Sequence, residues 1–319
     1  MKLSIALCTY NGNRYLYDQL ASIRSQTRQP DEFILRDDAS TDGTLELAHG
    51  FAREMSYPVR IQKNAVTTGS TRNFAEAIAE CDGDVIVLAD QDDAWLPHKL
   101  ARLEEAFQRK PEAAFAFSDA EIVDDQLEPL GYRLWDALQF QLAERRRFLS
   151  GGAFESLLRR YRVTGATMAF RAKFRDLVLP IPDRWVHDAW IGLILAAVAP
   201  CALIEEPLVR YRQHSAQQHG GRRRRLFDQF RAACGLTETA CETVAKRYEE
   251  ALERLSGIPG VSAERLSLLR DKIDHHRCRA AMREAGAWRL PRVVREAVHG
   301  RYARFGQGWK SIAQDLMLS

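Results

Sequence analysis

Val85-Ile86-Val87-Leu88-Ala89-Asp90-Gln91-Asp92-Asp93-Ala94-Trp95-Leu96-Pro97 opens as an unbroken apolar run and then stops in a cluster of aspartates. Aliphatic runs without alternation belong to strands buried on both faces, as in parallel sheets. The same signature recurs upstream. Leu3–Cys8 ends in Thr9-Tyr10-Asn11-Gly12, Glu32–Leu35 ends in Arg36-Asp37-Asp38, and Val59–Gln62 is a further short strand. Helical spacing fills the intervals: Tyr15–Gln26, a segment from Ser40 or Thr41 (either can cap it) through Met55, and Ser70–Glu80. Lys99–Arg109 is helical again, and Ala113–Phe117 reads as the next strand. Repeated β-α units of this kind predict an α/β fold with a mostly parallel central sheet covered on both faces.

In such sheets ligands gather beyond the carboxyl ends of the strands. Three strands here deliver polar residues to that rim, at Thr9–Gly12, Asp37-Asp38 and Asp90–Asp93. Like charges held together at Asp90, Asp92 and Asp93 repel unless water, a cation or a shifted proton relieves them. Asp93 could cap the helix at Lys99, which leaves Asp90 and Asp92 without a cap to serve. A divalent cation is the alternative, because carboxylates are hard ligands suited to Mg²⁺ or Mn²⁺. Asp37-Asp38 can accept from a base N–H or a ribose hydroxyl, or can simply shape a turn. The glycine-rich fingerprints of dinucleotide sites and P-loops are absent from Cys8–Asn13, so hydride transfer and nucleotide hydrolysis lose their usual support.

The chain has 319 residues, 46% of them hydrophobic and 28% charged, which excludes disorder and suggests one large domain with an appendage, or two domains. No secretory signal is read at the start, and six scattered cysteines without a C-x-x-C pair point to reduced thiols in a cytoplasmic protein. The longest uncharged stretch, Ala189–Ile204, is interrupted by Pro200 and too short for a membrane span; a buried helix running into a buried strand is expected. The net charge of +3 hides an asymmetry: residues from Gly220 onward hold 20 Lys/Arg against 12 Asp/Glu, while the preceding part is net acidic.

Beyond Asp119 the β-α rhythm loosens. Asp124–Gly152 reads as loop and short helix, Val163–Phe170 as a strand entered through Thr164-Gly165-Ala166, and Asp188–Ala199 as an apolar helix. Strands at Cys201–Ile204 and Leu208–Arg212 follow. After Gly220-Gly221 only helical periodicity remains, over Phe227–Leu255, Ala263–Glu284 and a basic amphipathic stretch, Leu290–Leu318. The arginines of this tail, from Arg222-Arg223-Arg224-Arg225 onward, are interleaved with Phe227, Phe230, Trp288 and Trp309. They fit a helical subdomain with solvated arginines, and secondarily contact with an anionic membrane face or another polyanion.

Taken in order, Cys8–Gly12, Asp37–Thr44, Leu88–Pro97, Thr164–Met168, His187–Trp190 and Tyr211-Arg212-Gln213-His214 resemble the glycosyltransferase family 2 enzymes, in their rhamnosyltransferase-like branch. The resemblance covers residues 1–219 and implies a catalytic domain of the nucleotide-sugar-binding GT-A type, with 220–319 as a basic α-helical region. It implies that Asp38, with Asp37, meets the nucleobase, that Thr9, Tyr10, Asn11, Arg72 and Asn73 line the nucleotide pocket, and that Asp90 faces the ribose and diphosphate. Asp92 would ligate Mg²⁺ or Mn²⁺, with Asp90 beside it. Asp188 would be the general base, although alone it reads as a helix cap, and Thr164, Gly165, His187 and Trp190 would stand on the acceptor side. His214 is either a structural histidine or a group reaching the metal and diphosphate. Trp95, Trp185 and Trp190 are either packing residues or sugar-stacking ones. One departure from the family is Ala39, where glycine is usual, which matters only if the turn needs a positive φ.

The implied activity is metal-dependent, inverting transfer of a sugar, from dTDP-L-rhamnose or else a UDP-sugar, to a surface polysaccharide or lipid-linked glycan. Its place would be the cytoplasm, at the inner face of the cell membrane where the acceptor is lipid-linked. No nucleic-acid partner is expected. A sugar nucleotidyltransferase, or a non-catalytic polyanion binder acting through the tail, are the alternatives; the first needs a glycine-rich phosphate loop that Thr9–Asn13 does not supply.

Overall fold

The computed structural model describes residues 1–214, 238–284 and 289–317. Arg222–Arg225, Leu226, Phe227, Phe230, Cys234 and Trp288, and the expected boundary near Gly220, lie outside the described residues. The described chain divides into two compact units: 1–153 with 162–214, and 154–161 with the residues from 238 on.

The first unit is built on one sheet. Its opening strands are β1 (Leu3–Thr9), β2 (Glu32–Asp37), β3 (Val59–Lys63) and β4 (Val85–Asp90), separated by helices α1 (Leu16–Arg24), α2 (Thr44–Glu54) and α3 (Ser70–Ala79). β1 is buried along its whole length and lies parallel between β2 and β4, which is why it carries no polar face. The register sets Thr9 beside Asp37 and Cys8 beside Asp90. Three strand ends therefore finish level, on one rim.

Beyond β4 the sheet changes direction. β5 (Ala94–Trp95), α4 (Lys99–Arg109), β6 (Phe115–Val123), β7 (Pro129–Arg133), α5 (Leu134–Ala137), α6 (Leu142–Arg147) and α7 (Ala153–Arg159, which from Phe154 on counts with the second unit) are followed by β8 (Met168–Arg171), α8 (Arg175–Val178), α9 (His187–Val198) and β9 (Cys201–Arg212). The strand order is β3-β2-β1-β4-β8-β6-β9-β5, with β7 on β6. β8 runs antiparallel to both β4 and β6, so it is the start of β8 that meets the end of β4. The turn preceding Met168 is thereby brought to the acidic rim.

Several local expectations are revised. The strand expected over Val163–Phe170 is only its second half, because Gly165–Thr167 forms a 3₁₀ turn closed on Thr164. The two strands expected after Pro200 are one, β9, whose register against β6 slips between Ser118 and Glu121. That bulge accommodates Pro207, which cannot donate to a regular ladder. Neither Ser40 nor Thr41 caps α2, which starts after Gly43; the Ser40 hydroxyl turns to Asp37 instead. Asp93 does not cap α4 either, since His98 precedes that helix and Asp93 accepts from the Arg212 backbone. The helix α9 is buried on nearly every side, as an apolar helix inside a domain must be. Among the described residues no helix is long and apolar enough to cross a membrane.

The second unit is helical, with α10 (Glu238–Leu255) packed on α11 (Ala263–Glu284). The expected single basic stretch at the end is three helices, α12 (Arg289–Val298), α13 (Arg301–Phe305) and α14 (Trp309–Leu316). Gly300 and Gly308 separate them with positive φ angles that other residues reach only with strain. Met282, Val293 and Tyr302 form their small core. A buried ion pair of Arg279 with Asp315 at 2.7 Å ties α11 to α14, and a buried hydrogen bond between His275 Nδ1 and Glu296 at 2.7 Å ties α11 to α12.

Candidate functional site

At the end of β1 and β2 the polar residues first satisfy one another. Thr9 Oγ1 donates to Asp37 at 2.7 Å, and the Ser40 amide and hydroxyl donate to the same carboxylate at 2.8 and 2.5 Å. Asp37 is therefore the organiser of its turn. Asp38 Oδ1 accepts from the Thr68 amide at 2.7 Å, Asn64 Nδ2 at 2.9 Å and Thr68 Oγ1 at 3.0 Å, while Oδ2 accepts from the Gly69 amide at 2.8 Å. Burial opposes its ionisation, but these donors prevail and hold its carboxyl below the ordinary value. One acceptor direction remains on Oδ2, because an ionised oxygen takes about two donors.

The intervening turn is strained. Ala39 has φ +63° and Asn11 φ +45°. The family's usual glycine would relax at the first, and asparagine tolerates the second. Asn11 earns its conformation by accepting the Thr41 amide at 3.0 Å. Gly12 allows a close approach: a Cβ there would lie 2.2 Å from Gln91 Oε1. Gln91 uses that space to pair with the Tyr10 backbone, accepting at 2.8 Å and donating at 3.0 Å. The middle of Asp90-Gln91-Asp92 is thus tied to the loop after β1.

Two expected pocket residues are engaged elsewhere. Arg72 forms an exposed two-point pair with Asp183, Nε to Oδ1 at 2.7 Å. Asn73 is buried, donating to the Arg36 carbonyl at 2.8 Å and accepting from Asn64 at 3.1 Å, so it braces β2 against α3.

The acidic rim itself is electrostatically loaded. Burial, then the charges of Asp92 and Asp188, push the Asp90 carboxyl up to about 8. Burial and the same neighbouring aspartates, Asp92 and Asp90, raise Asp93 well above the carboxylate range. Asp93 Oδ1 accepts the Arg212 amide at 3.0 Å, while its Oδ2 is buried with no hydrogen-bond partner. Asp90 and Asp38 both raise the buried Cys8 thiol after burial itself does, which sets the two carboxylates on either side of it.

Lys99 compensates through its charge, and Arg212 braces the acidic turn. Lys99 is fully buried at the start of α4; its Nζ donates to the Ala166 carbonyl at 2.6 Å and lies 3.7 Å from the Trp95 ring centre. Burial pushes its pKa down to about 7, against the pull of Asp93 and Asp90. Arg212 donates from Nε to the Asp92 carbonyl at 2.8 Å and from a terminal nitrogen to Asp18 at 2.7 Å, and lies 4.7 Å from the Tyr15 ring. The signal for Arg212 was present, since it stands in the Tyr211–His214 motif. Lys99 had none beyond its place after the acidic run.

His214 Nε2 lies 2.8 Å from Asp92 Oδ2, and its ring centre is 4.6 Å from that of Tyr15. Asp188 lies in the first turn of α9, whose cap is Val186; it accepts from the Gly165 amide at 2.7 Å and the Ala189 amide at 2.7 Å. A Cβ on Gly165 would lie 2.7 Å from His187 Nε2, so the 164–167 turn can approach α9 only through glycine. His187 stacks on Phe74 with ring centres 3.8 Å apart. Trp190 is wholly buried, its Nε1 donating to the Val178 carbonyl at 2.7 Å, and Trp95 and Trp185 are buried too. All three tryptophans pack the interior.

The donor set suits a hard divalent cation. Asp90 and Asp92 offer oxygens alone, and the raised Asp90 shows charge that a cation would relieve. No three His, Cys, Asp or Glu side chains form a ready metal cage among the described residues. Mg²⁺ and Mn²⁺ sites on nucleotides seldom need one, because phosphates and water complete them.

A parallel half-sheet that presents acidic strand ends, continued by antiparallel strands that return a second carboxylate to the same rim, defines a GT-A type glycosyltransferase fold. The chain belongs to glycosyl transferase family 2, whose profile matches residues 4–177. It is 27% identical over 69% of its length to an uncharacterized glycosyltransferase of Nostoc, covering 67% of that protein. It is 33% identical to the abequosyltransferase RfbV of Salmonella typhimurium, over 33% of this chain and 32% of that one, and 34% identical to the putative glycosyltransferase EpsE of Bacillus subtilis, over 32% and 36%. The match thus spans about a third of those two relatives. Among solved structures it resembles Staphylococcus aureus TarS 1–349 in complex with UDP-GlcNAc (TM-score 0.58, 15% identity, 99% of this chain and 89% of that one). It also resembles the mannosyltransferase PcManGT of Pyrobaculum calidifontis in complex with GDP-Man and Mn²⁺ (TM-score 0.52, 16% identity, 99% and 85%).

Proposed function

We propose that this glycosyltransferase is metal-dependent and inverting, and that it moves a hexose from a nucleoside diphosphate sugar to a surface polysaccharide or its lipid-linked precursor. The observation that carries the reading is that Asp188 of α9 and Asp92 of the turn after β4 lie near enough to Asp90 for both their charges to act on it: carboxyl groups from two distant elements share one rim. In this reading Asp38 Oδ2 takes a nucleobase N–H, and Thr9, Tyr10 and Asn11 shape the base pocket. Asp90 and Asp92 would hold the cation, with His214 fixing the Asp92 carboxylate. A divalent ion held there would supply Lewis-acid neutralisation of the charge on the departing diphosphate.

Asp188 takes the proton of the acceptor hydroxyl as that oxygen bonds to the anomeric carbon and the bond to the diphosphate breaks on the opposite face. Its two backbone donors fix the carboxylate in place. The Thr164–Thr167 turn and His187 border the acceptor. Arg72 joins the nucleotide only by leaving Asp183, and Asn73 acts through Asn64.

dTDP-L-rhamnose is the first donor to test, on the resemblance of Asp90–Pro97 and His187–His214 to rhamnosyltransferase-like members; the UDP-sugar and GDP-sugar bound by the structural neighbours come next. A lipid-linked acceptor would place the enzyme at the cytoplasmic face of a membrane. Thermal stabilisation by dTDP, UDP and GDP, each with and without Mn²⁺, tests the reading. One nucleotide should raise the melting temperature only when Mn²⁺ is present. A flat response to all three overturns it.

A further inference from the structure

The helix α12 buries Val293 and Glu296 and turns another side outward. Leu290 (56% exposed), Val294 (52%) and Val298 (79%) follow one another at four-residue spacing, so they form a continuous apolar stripe along the helix. Trp309, at the start of the adjoining α14, is 73% exposed. Isolated exposed apolar residues are ordinary, but a continuous helical stripe of branched side chains marks an interaction surface.

The charge around the stripe selects its partner. Arg295 stands exposed beside the apolar side, whereas Arg292 lies on the far side of the helix and donates to the Ala281 carbonyl of α11 at 2.8 Å. Residues 289–317 contain six Arg or Lys and two carboxylates, Glu296 and Asp315. Both carboxylates are wholly buried and internally paired, Glu296 with His275 and Arg301, Asp315 with Arg279 and Tyr302. No acidic side chain of this segment therefore faces outward.

We propose that α12 and the start of α14 form a docking surface for an anionic lipid bilayer. The stripe enters the boundary between headgroups and acyl chains, Trp309 sits at headgroup depth, and Arg295 engages lipid phosphates. Interfacial helices combine an apolar side with flanking cations in this way, whereas a second copy of the chain paired stripe to stripe would set arginines against arginines. The surface deepens the membrane contact raised with the acceptor above, and needs no donor or acceptor to act.

Flotation of the full chain with phosphatidylcholine–phosphatidylglycerol vesicles, without nucleotide or glycan, tests it. The protein should float with these vesicles at low salt and remain behind with pure phosphatidylcholine. Arg295→Gln should weaken partitioning about fivefold. Val294→Ser with Val298→Ser and Trp309→Ser should weaken it by about tenfold or more while Mn²⁺-dependent nucleotide binding stays unchanged. These side chains are exposed, so the variants keep their fold. Absence from anionic vesicles, or flotation indifferent to both sets of substitutions, overturns the proposal. So does a concentration-dependent dimer that the serine variants dissolve. Because nucleotide binding is read separately, failure here leaves the sugar-transfer reading standing, and failure there leaves this one.

Discussion

Arg212 Nε donates to the carbonyl oxygen of Asp92 at 2.8 Å, joining the last residue of β9 to the acidic turn after β4. The same side chain reaches Asp18 on α1 and the Asp125 carbonyl, and its amide holds Asp93. Four parts of the chain thus meet on one buried guanidinium, and the position of Asp92 depends on it.

Replacing Arg212 by lysine keeps the charge and removes the planar fork. With the Asp92 carbonyl released, Mn²⁺-dependent nucleotide affinity should fall about tenfold, in line with a lost charge-assisted hydrogen bond. Calorimetric titration of the nucleotide with and without Mn²⁺ measures this. An unchanged metal-dependent affinity with a lowered melting temperature would reduce Arg212 to a structural brace.

Asp188→Asn retains an oxygen to accept a backbone amide but cannot take a proton. Turnover should drop by about 10²–10⁴, the range for loss of a general base, while nucleotide binding with Mn²⁺ persists. Near-normal kcat in this variant would remove Asp188 from the proton transfer.

Asp92→Ala should abolish the Mn²⁺-dependent part of nucleotide affinity. His214→Ala should weaken it by about tenfold, because His214 orients Asp92 from 2.8 Å without being required for charge. Equal losses in the two variants would make His214 a ligand in its own right; no loss in His214→Ala would leave it a packing partner of Tyr15.

Ala39 adopts φ +63° between Asp38 and Ser40. Ala39→Gly should relieve the clash of Cβ with its own backbone and raise stability by about 1 kcal/mol, read as a higher melting temperature. A lower one would mean that alanine stiffens this turn more than it strains it.

In the second unit, burial lowers the pKa of His275, and the charge of Arg279 lowers it further, while Glu296 and Asp315 pull it up without prevailing. A histidine whose folded pKa is depressed is held neutral by the fold. Its contribution is complete above about pH 6.5 and is lost as the pH falls through that value toward the depressed one. Melting temperature should decline between about pH 7 and 5, and His275→Gln should flatten that decline. A wild-type profile in the variant would place the titration elsewhere.

The parallel half of the fold was legible because its strands are buried on both faces and so read as aliphatic runs; β1 and β4 begin and end within a residue of expectation. Lys99–Arg109 and Ala263–Glu284 were legible too, from their helical spacing. The antiparallel half was less so. β7 is exposed and carries no apolar pattern, and Val163–Phe170 looks like a strand until Asp188, far along the chain, claims the Gly165 amide.

Residue chemistry alone determined that three strand ends would carry carboxylates and amides, because apolar runs and the polar turns after them are local properties of the chain. Only the folded molecule decided how those groups are spent. Asp37 became a turn organiser and Asn73 a brace, Ala39 took a left-handed conformation, Lys99 became the counter-charge of the acidic rim, and Arg212 its brace. Each of those outcomes depends on a partner distant in sequence or on a backbone angle, and neither is written in the order of residues.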